Sequence, residues 1–417
     1  MKKGQFVWDY YSDQPHVIKD KNYKKMMRQK HWFDYVKLVI TNIFIYPLSV
    51  LFMPFLRSKS VNTSLFFGMG VNLDKGLDQV ELIRELGCKN ILIRVPLSDI
   101  ANLESYVEFA KYFYDCEITI NILQDRNHIE HNMMLQESLT NIFVAFKGIA
   151  KNFQIGNAIN RMKWGFFSVK EYLDFYEIAY NIKRNSFQEY NLIGPSVIDF
   201  EYHYTIRALF NQYRLYFDKV SALLYVDRRG APENVQMGSY DTSKKINLLY
   251  SIASLSKRSS NKLVITEANW PISNTKPYAP TSEHECVSVE TYARYMLRYY
   301  LLALGTKKVE TIFWHQLIAP GYGLIDNRGG LVLKRPAYEV FKTMIDFLQE
   351  SEVLRFSHSK NKYVLTCQKN NRKFDILWIN DAHTIELTNT HEVYDMFGVR
   401  LTKNIEISEN PIYAYYR

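Results

Sequence analysis

The sequence predicts an α/β fold: a TIM (β/α)8 barrel, followed by a small antiparallel β-sandwich and preceded by a membrane-associated helix. Three observations predict it. Short apolar runs alternate with amphipathic helical stretches over residues 66–347, period-two alternation replaces this pattern after residue 350, and one long apolar segment lies near the N-terminus. The chain has 417 residues, of which 47% are hydrophobic and 15% aromatic, so it has ample material for a core. This composition excludes an intrinsically disordered protein.

Eight apolar runs have the length and composition of buried strands. Amphipathic patterns at 77–87, 103–113, 169–184 and 291–305 predict helices between them. Eight such units in about 280 residues fit a TIM barrel, whose usual length is about 250 residues. A doubly wound open sheet is the alternative, but no glycine-rich phosphate loop follows the first strand. The runs lie at 66–73, 90–97, 117–123, 153–158, 192–198, 220–226, 262–269 and 310–317.

The C-terminal region has a different pattern. After a last helical pattern at 336–348, the pieces KYVLTCQ, KFDILWI, HTIELT, HEVYDMFG and NPIYAYYR alternate apolar and polar residues, with Asn, Asp and Gly between them. This pattern predicts antiparallel strands. The sequence therefore predicts three parts: residues 1–60 as a basic leader and hydrophobic segment, 61–350 as the barrel, and 351–417 as the β-sandwich.

The N-terminal apolar segment covers residues 38–56, LVITNIFIYPLSVLFMPFL. At about 1.5 Å per residue, a helix of this length nearly crosses a hydrocarbon core of about 30 Å. Pro47 and Pro54 weaken the prediction of a single span, so an in-plane or re-entrant anchor and a helix covered by protein stay open as alternatives. Basic residues outnumber acidic ones in residues 1–37. If the helix spans the inner (cytoplasmic) membrane, we therefore expect the leader in the cytoplasm and the barrel on the periplasmic side.

The net charge indicates which classes of partner fit the protein, and the cysteines indicate whether it has disulfides or a zinc site. The chain has 52 Lys and Arg against 43 Asp and Glu, a net charge of +9 that fits an anionic lipid or an acidic polymer and does not indicate a nucleic-acid cleft. The four widely spaced cysteines predict neither a disulfide framework nor a zinc site. His128 and His131, in the run 125–132, are too few ligands to predict a metal site.

Chemistry in a TIM barrel is carried at the carboxyl ends of the strands, so the residues there are the candidates for function. The seventh run ends in ITEANW and the eighth in FWH, while the fourth continues as FQIGNAIN. Carboxylate, amide, guanidinium and aromatic groups therefore meet at one rim. The candidate site residues are Arg94, Asn157, Ala158, Tyr225, Glu267, Trp270, Trp314 and His315.

These motifs resemble the clan of retaining glycoside hydrolases built on a (β/α)8 barrel, especially the β-xylosidase and exopolysaccharide-hydrolase-like family with a C-terminal β-sandwich. The resemblance covers residues 65–417 and includes VYDMFG and NPIYAY in the last part. It implies that Glu267, in ITE followed by an aromatic residue, is the nucleophile. Asn157 matches the asparagine of the Asn-Glu pair that ends strand four, but Ala158 stands where the acid/base glutamate belongs.

The resemblance also implies that Arg94, Tyr225 and Trp314 line the sugar site. Each residue has a structural alternative. Glu267 could pair with Arg94 only as an ion pair in the barrel mouth, and Asn157 could cap the strand-to-loop turn instead of binding a sugar hydroxyl. An indole ring can stack on a sugar ring. Trp314 is the better candidate for this contact, because Trp270 could equally pack at the rim.

Glycoside hydrolysis with retention needs two carboxyl groups, because the leaving oxygen needs a proton while the anomeric carbon needs a nucleophile on its other side. Ala158 has no proton to give. We therefore expect impaired hydrolysis, because general acid-base assistance is worth about 10²–10⁴ in rate. Three explanations stay open: an introduced substitution of Glu, a natural protein that has lost turnover and binds a glycan, or proton supply from Asp199, Glu201 or the loop at 283–285.

The sequence thus predicts a membrane-associated, retaining O-glycosyl hydrolase-like protein that acts on an oligosaccharide or a bacterial-type cell-surface or exported polysaccharide. The mechanism that the resemblance implies needs neither a metal nor an organic cofactor. Membrane contact would be through residues 38–56. The alternative is a non-catalytic glycan-binding or scaffold protein that works with polysaccharide assembly machinery.

Overall fold

Two short strands and two helices precede the barrel. This computed structural model describes residues 6–57, 60–381, 384–386, 392–402 and 405–416. Strands β1 (Trp8–Asp9) and β2 (Gln14–Pro15) form an antiparallel hairpin, which we call the N-terminal hairpin. Helices α1 (Lys21–Lys30) and α2 (Trp32–Phe52) follow. The first five residues of the predicted basic leader lie outside the described residues.

Eight parallel strands close into a barrel, which confirms the predicted fold class. Each strand falls within or overlaps one of the eight apolar runs. The strands are β3 (Phe67–Val71), β4 (Asn90–Pro96), β5 (Glu117–Leu123), β6 (Asn152–Ile155), β7 (Asn191–Ile198), β8 (Lys219–Leu223), β9 (Leu263–Ala268) and β10 (Val309–Trp314). Strand β10 pairs with β3 and closes the ring.

Helices surround the barrel because strands that are buried on both faces need apolar cover from outside. Several begin at a side chain that accepts a hydrogen bond from the first turn: Ser168 before α7, Asp241 before α9 and Ser288 before α10. The helices are α3 (Asp78–Leu86), α4 (Leu103–Lys111), α5 (Arg126–Glu130), α6 (Asn132–Ala145), α7 (Val169–Ser186), α8 (Tyr202–Leu209), α9 (Thr242–Leu255), α10 (Val289–Thr306) and α11 (Pro336–Leu348).

The C-terminal region is antiparallel, as predicted. A ribbon of β11 (Ile325–Asp326) and β12 (Leu333–Lys334) precedes α11. Among the described residues, a six-stranded sheet in the order β13-β14-β15-β20-β17-β18 and a two-stranded ribbon of β16 and β19 follow it. Residues 387–391, within two of the predicted strand pieces, lie outside the described residues. The strands are β13 (Glu352–Ser359), β14 (Lys362–Lys369), β15 (Arg372–Ile379), β16 (Ile385–Glu386), β17 (Glu392–Tyr394), β18 (Arg400–Leu401), β19 (Glu406–Ile407) and β20 (Ile412–Tyr415).

A buried ion pair joins the C-terminal sheet to the barrel. The Arg298 Nε on α10 donates to Glu233 Oε1 at 2.8 Å, and the Trp378 Nε1 on β15 donates to the same oxygen at 2.7 Å. Both side chains of the ion pair are fully buried. Because a buried charge is stable only when it is paired and hydrogen-bonded, this contact fixes the sheet against the barrel helices.

Helix α2 lies along the outside of the barrel, on α8 and α9. Its first turn is tied down by a buried ion pair in which Arg207 Nη2 donates to Asp34 Oδ1 at 2.6 Å. Further along, Asn42 Nδ2 donates to the carbonyl of His203 at 2.9 Å, and the Ser251 hydroxyl donates to the carbonyl of Ser49 at 2.7 Å. Helix α2 is therefore attached to the barrel at its beginning, middle and end.

The opposite face of α2 is apolar and exposed. The helical segment Trp32–Phe55 is the one stretch in the described part of the chain that is long and apolar enough to cross a membrane. Its exposed large side chains recur every three or four positions, which places them on one face of the helix. We call this face the outer stripe: Trp32, Phe33, Val36, Val39, Ile40, Ile43, Phe44, Leu48, Leu51, Phe52 and Phe55.

Candidate active site

Glu267 lies at the carboxyl end of β9, inside the barrel mouth, and is 8% exposed. Arg94 Nη2, from β4, donates to Glu267 Oε2 at 3.2 Å. The hydroxyl of Tyr225, just beyond β8, donates to Glu267 Oε1. Both carboxylate oxygens therefore have a donor, and the carboxylate is held in one orientation.

The surroundings of Glu267 favour its ionised form. Burial alone would raise the pKa of Glu267, but the charges of protonated His315 and of Arg94 and the hydrogen bond from Tyr225 lower it below its ordinary value. At neutral pH, where His315 is uncharged, Arg94 and Tyr225 stabilise the ionised carboxylate. An ionised carboxylate at neutral pH is what nucleophilic attack requires.

His315 follows β10 and completes the group around Arg94, which donates from Nη2 to His315 Nε2 at 3.1 Å. Burial and the positive charge of Arg94 lower the pKa of His315 to about 3. A neutral imidazole is thus expected at pH 7, so His315 accepts a hydrogen bond from Arg94 and adds no charge to the mouth. The structure brings four of the sequence-predicted residues together here: Arg94, Tyr225, Glu267 and His315.

Asn157, in the turn after β6, also belongs to this group. Its Oδ1 accepts from Gln154 Nε2 at 2.9 Å, and its backbone N–H donates to Gln124 Oε1 at 2.9 Å. The Asn157 amide contributes to the lowered pKa of Glu267. Its Nδ2 is buried and has no partner at standard hydrogen-bond geometry among the described residues. A buried donor without a partner is costly unless a ligand satisfies it.

Ala158 follows Asn157 in the turn after β6 and lies in apolar surroundings. It is fully buried in a cluster with Leu123, Trp164, Leu223 and Tyr225. Trp8 of the N-terminal hairpin packs against this cluster, and the rings of Trp8 and Trp164 meet edge to face with centroids 5.7 Å apart. The position where the resemblance implies an acid is therefore filled by hydrocarbon.

Trp270 and Trp314 are buried behind the mouth. Their rings stack on each other with centroids 5.9 Å apart, and neither is more than 1% exposed. The Trp270 indole N–H donates to the carbonyls of Arg229 and Gly230, and that of Trp314 donates to the Tyr292 hydroxyl on α10. This packing favours the structural alternative for Trp270 and gives Trp314 a similar place between barrel and helix. Sugar stacking by Trp314 stays a prediction that this packing does not support.

The alternative proton donors have other partners. Asp199 and Glu201 both pair with Arg161, at 2.6 and 2.9 Å, and Glu201 also accepts from Asn160 at 2.7 Å. Glu283 accepts from the backbone N–H of Asn274. Asp199 and Glu201 thus brace the loop after Ala158, and their proton-donor role stays a prediction.

The histidine-containing run at 125–132 is held together by local contacts. Asp125 accepts from the backbone N–H of His128 and contacts its Nδ1 at 2.6 Å, at the start of α5. Within the described ranges, no group of three or more His, Cys, Asp or Glu side chains could hold a metal ion.

The N-terminal hairpin enters the mouth, which sequence reasoning missed. Asp13, at its turn, accepts on Oδ2 from Arg94 Nη1 at 2.8 Å, Gln316 Nε2 at 3.3 Å and Asn72 Nδ2 at 3.4 Å. Burial raises the pKa of Asp13, while Arg94 and Lys75 oppose that rise. Arg94 therefore lies between two carboxylates, Asp13 and Glu267.

Two of the missed residues carry a signal in the sequence, because Asn72 and Gln316 each follow the end of a barrel strand. Trp8 and Asp13 carry none, since their place depends on a long-range contact. A cavity of about 620 Å³ lies beside the hairpin. Residues from both parts of the chain line it, among them Trp8, Asp13, Arg94, Gln124, Lys163 and Trp164.

Solved structures share this fold. A family 39 glycoside hydrolase from Bacteroides cellulosilyticus WH2 superposes with a TM-score of 0.67 at 14% identity, over 87% of this chain and 83% of its own. A GH39 β-xylosidase from Caulobacter crescentus and a GH30 endoxylanase from Clostridium papyrosolvens C71 each give a TM-score of 0.57 at 10% identity, over 86% of this chain and 97% of theirs.

No protein-family model matches the sequence, and no curated protein does. From the structural similarity, the chain has the fold of GH39 and GH30 glycoside hydrolases. Sequence identities of 10–14% support the shared fold and no further assignment.

Proposed function

We propose that this protein is a retaining glycoside-hydrolase-like protein with Glu267 as its nucleophile. The observation that carries the proposal is the buried, oriented carboxylate of Glu267 at the end of a barrel strand, in the same mouth as the side-chain amide of Asn157. The fold shared with glycoside hydrolases supports a carbohydrate as the ligand. Fold alone does not assign a reaction, so the proposal rests on this site.

The proposed reaction begins with attack of a Glu267 oxygen on the anomeric carbon, and the bond to the leaving oxygen breaks. The Asn157 Nδ2 is positioned to donate to a sugar hydroxyl next to the reacting carbon. Arg94 and Tyr225 hold the attacking carboxylate in place during this step. Water then displaces Glu267 from the glycosyl-enzyme, with retention of configuration.

Ala158 limits this reaction in the chain as it stands. Both steps need a proton transfer at the position opposite the nucleophile. We therefore expect slow turnover of ordinary glycosides and faster reaction of substrates whose leaving group needs no proton.

Azide-assisted cleavage tests the nucleophile. A panel of 2,4-dinitrophenyl glycosides supplies a leaving group that departs without protonation, and azide replaces the water that would need a general base. We expect azide to accelerate dinitrophenol release and to yield a glycosyl azide of retained configuration. Glu267→Gln should abolish both, whereas Glu201→Gln, a matched change at a carboxylate paired with Arg161, should not. A glycosyl azide of retained configuration formed by Glu267→Gln would overturn the assignment, because direct attack by azide without an enzyme nucleophile gives the inverted product.

A second candidate is a non-catalytic glycan-binding or scaffold protein of a polysaccharide assembly system. The apolar cluster around Ala158 favours it, because Leu123 and Trp164 pack with Ala158, Trp8 packs against them, and no carboxylate belongs to this cluster. Such a protein would bind an oligosaccharide and show no azide acceleration with any glycoside of the panel.

Membrane attachment through α2 is also part of the proposal. The outer stripe is exposed, and Lys21, Lys25, Arg28 and Lys30 on the neighbouring helix α1 are exposed too. Large apolar side chains next to basic ones suit the surface of an anionic membrane. Because α2 is tied to α8 and α9 along its length, we propose that it lies in the plane of the membrane rather than across it.

This location supports the substrate class: a cell-surface or exported polysaccharide, which a membrane-attached protein meets as the polymer is made and exported. With α2 in the plane of the membrane, the basic leader and the barrel lie on the same side, so the periplasmic location that a spanning helix would imply is not part of this proposal. Contact with polysaccharide assembly machinery belongs to the same proposal.

Vesicle binding tests the attachment. With vesicles of phosphatidylglycerol and phosphatidylcholine, the double variant Ile43→Asp, Phe44→Asp should bind about a hundredfold more weakly, since burying each side chain is worth roughly 1.5–3 kcal/mol. Met133→Asp, at an exposed apolar residue on α6, is the matched control. In-plane attachment also predicts that both ends of α2 are open to protease on the same side of the vesicle. Protection of one end by the bilayer would contradict it.

A further inference from the structure

Three side chains of the barrel form a built site for a carboxylate, which Asp13 occupies. Asn72 follows β3, Arg94 lies on β4 and Gln316 follows β10, so three strands supply the donors. All three side chains are buried, and all three donate to Asp13 Oδ2. We call these three residues the carboxylate cradle.

The carboxylate cradle adjoins the nucleophile. Arg94 donates from Nη1 to Asp13 and from Nη2 to Glu267, so a single guanidinium separates the two carboxylates. Because the same guanidinium contacts Glu267, a sugar ring placed for attack by Glu267 would lie next to Arg94. That place is now taken by Asp13, and a saccharide must displace Asp13 to occupy it.

The exchange is balanced in charge only if the incoming group is a carboxylate. Charge-assisted hydrogen bonds are roughly twice as strong as neutral ones, and a buried guanidinium that loses such a partner is strongly destabilised. A sugar hydroxyl would leave the Nη1 side of Arg94 without its anion. A sugar carboxylate would restore the same contacts with Arg94, Asn72 and Gln316.

The other acidic residues of the neighbouring cavity do not oppose an anionic ligand strongly, because each has a local donor. Asp74 accepts from Lys75 Nζ at 2.6 Å and Asp99 from Tyr106 at 2.8 Å, while Asp125 contacts His128. Lys163 and Arg94 also line this cavity. Its volume of about 620 Å³ lies within the range of about 300–1,000 Å³ that is usual for ligand sites.

The N-terminal hairpin is short and lies on the surface of the mouth, held by side-chain contacts to the barrel that an incoming ligand would have to replace. Each of its strands is two residues long, and Gln14 makes its main polar contacts outside the hairpin: Lys163 Nζ donates to Gln14 Oε1 at 2.6 Å, and Gln14 Nε2 donates to the Pro280 carbonyl at 3.1 Å. Tyr10, in the turn, is 85% exposed.

We propose that the carboxylate cradle is the subsite for a uronic-acid residue of the glycan, and that Asp13 fills it in cis until an acidic saccharide displaces the N-terminal hairpin. This substrate class rests on the proposed function, since it places the acidic sugar against Glu267. The net charge of +9 favours the approach of such a polyanion.

The test uses Asp13→Gly in the full chain. Asp13 has a φ of 53°, a conformation that glycine adopts without strain, so this change removes the carboxylate and keeps the turn. The probes are sodium acetate, sodium glucuronate and glucose, followed by thermal shift and calorimetry. We expect acetate to raise the melting temperature of Asp13→Gly and not that of the wild type. Glucuronate affinity should rise at least about tenfold in the variant, as expected for a freed charge-assisted site.

Two controls make the result specific. Glucose should gain less than about threefold, since it brings no charge to Arg94. Asp9→Ala removes contacts within the hairpin, to Tyr11 and Ser12, and leaves the cradle occupied, so it should not reproduce the acetate effect. If Asp13→Gly does not fold, Asp13→Asn keeps the shape with a neutral group, and glucuronate should still bind more tightly than to the wild type.

Equal gains for glucose and glucuronate, or the absence of an acetate effect in the folded variant, would overturn the proposal. These readouts need no turnover. Glucuronate binding without azide acceleration would contradict the proposed hydrolase but support the carboxylate cradle. Azide acceleration without glucuronate binding would support the hydrolase and contradict the carboxylate cradle.

Discussion

The two sides of the barrel mouth differ in chemistry. On one side, Glu267 is surrounded by Arg94, Tyr225 and His315 and is held ionised. On the other side, Ala158 is enclosed by hydrocarbon, including a ring from the N-terminal hairpin. The N-terminal hairpin reaches both sides: Asp13 pairs with Arg94 beside Glu267, and Trp8 packs against the cluster around Ala158.

This difference shows which side chains surround the position where the resemblance implies a carboxylate. An alanine in an otherwise polar mouth would leave a hole that water fills, whereas here Trp164 packs in the cluster around Ala158 and Trp8 packs against it. The Ala158 side is therefore internally consistent as an apolar surface. Restoring an acid requires room as well as a carboxyl group.

The largest effect should come from restoring that acid. Ala158→Glu combined with Trp8→Ala should raise hydrolysis of glycosides with poor leaving groups by about 10²–10⁴, the usual worth of general acid-base assistance. Ala158→Glu alone should gain less, because Trp8 occupies the space. The measurement is kcat/KM on aryl glycosides of graded leaving-group pKa.

Ala158→Gln with Trp8→Ala is the matched control, since glutamine has the shape of glutamate without an acidic proton. An equal gain in this control would mean that access, and not proton transfer, limits the reaction. No gain in either variant would favour the glycan-binding protein.

A smaller effect concerns how the N-terminal segment is held against the Ala158 side. Glu171, on α7, accepts from Arg126 at 2.9 Å and contacts His31, between α1 and α2, at 3.2 Å. Burial opposes its ionisation, but His31 and Arg126 lower the pKa of Glu171 to about 2 from an ordinary value of 4.5. A lowered pKa gives stability that is present above pH 4.5 and is lost as the pH falls towards 2.

We therefore expect Glu171→Gln to lower the free energy of unfolding by roughly 3 kcal/mol at pH 7, at about 1.4 kcal/mol per pKa unit. The difference from the wild type should shrink as the pH falls through 4.5, in denaturant titrations at a series of pH values. Glu130→Gln, at an exposed partner of Arg126, should have a much smaller effect. A difference that does not change with pH would contradict the assigned cause.

The smallest effect concerns the Glu267 side. Tyr225→Phe removes one donor from the Glu267 carboxylate, so the pKa of Glu267 should rise, because a hydrogen bond to a charged group is worth about 1.5–3 kcal/mol. The acid limb of the pH profile for azide-assisted release should move up by the same amount, because attack needs the ionised form. Tyr299→Phe, whose hydroxyl donates to the Leu224 carbonyl, should leave the limb in place.

The barrel could be predicted from the sequence because each strand is a short apolar run between turn or helix signals, as in the runs that became β4 and β9. Helix α9 was not among the helices that the pattern singled out, since apolar and buried side chains occur around much of its circumference. Its amphipathic period is correspondingly weak.

The Glu267 side could be predicted for the same reason, because barrel topology brings strand ends to one rim. Asn72 and Gln316 also follow the ends of barrel strands, but the family resemblance did not include them among the site residues. Trp8 and Asp13 could not be predicted, since no periodic pattern links a hairpin at the start of the chain to the end of β4 or β6. Only the folded contacts reveal that link.

Because Asp34 on α2 is the partner of the buried Arg207, the N-terminal helix is not a detachable leader. If a protease cut near residue 57 released the N-terminal fragment, α8 and α9 would be exposed and the buried guanidinium of Arg207 would lose its partner. Trp8 and Asp13 would leave with the fragment. The shortened protein would thus lose the proposed membrane contact of α2, and its barrel mouth would become irreversibly accessible.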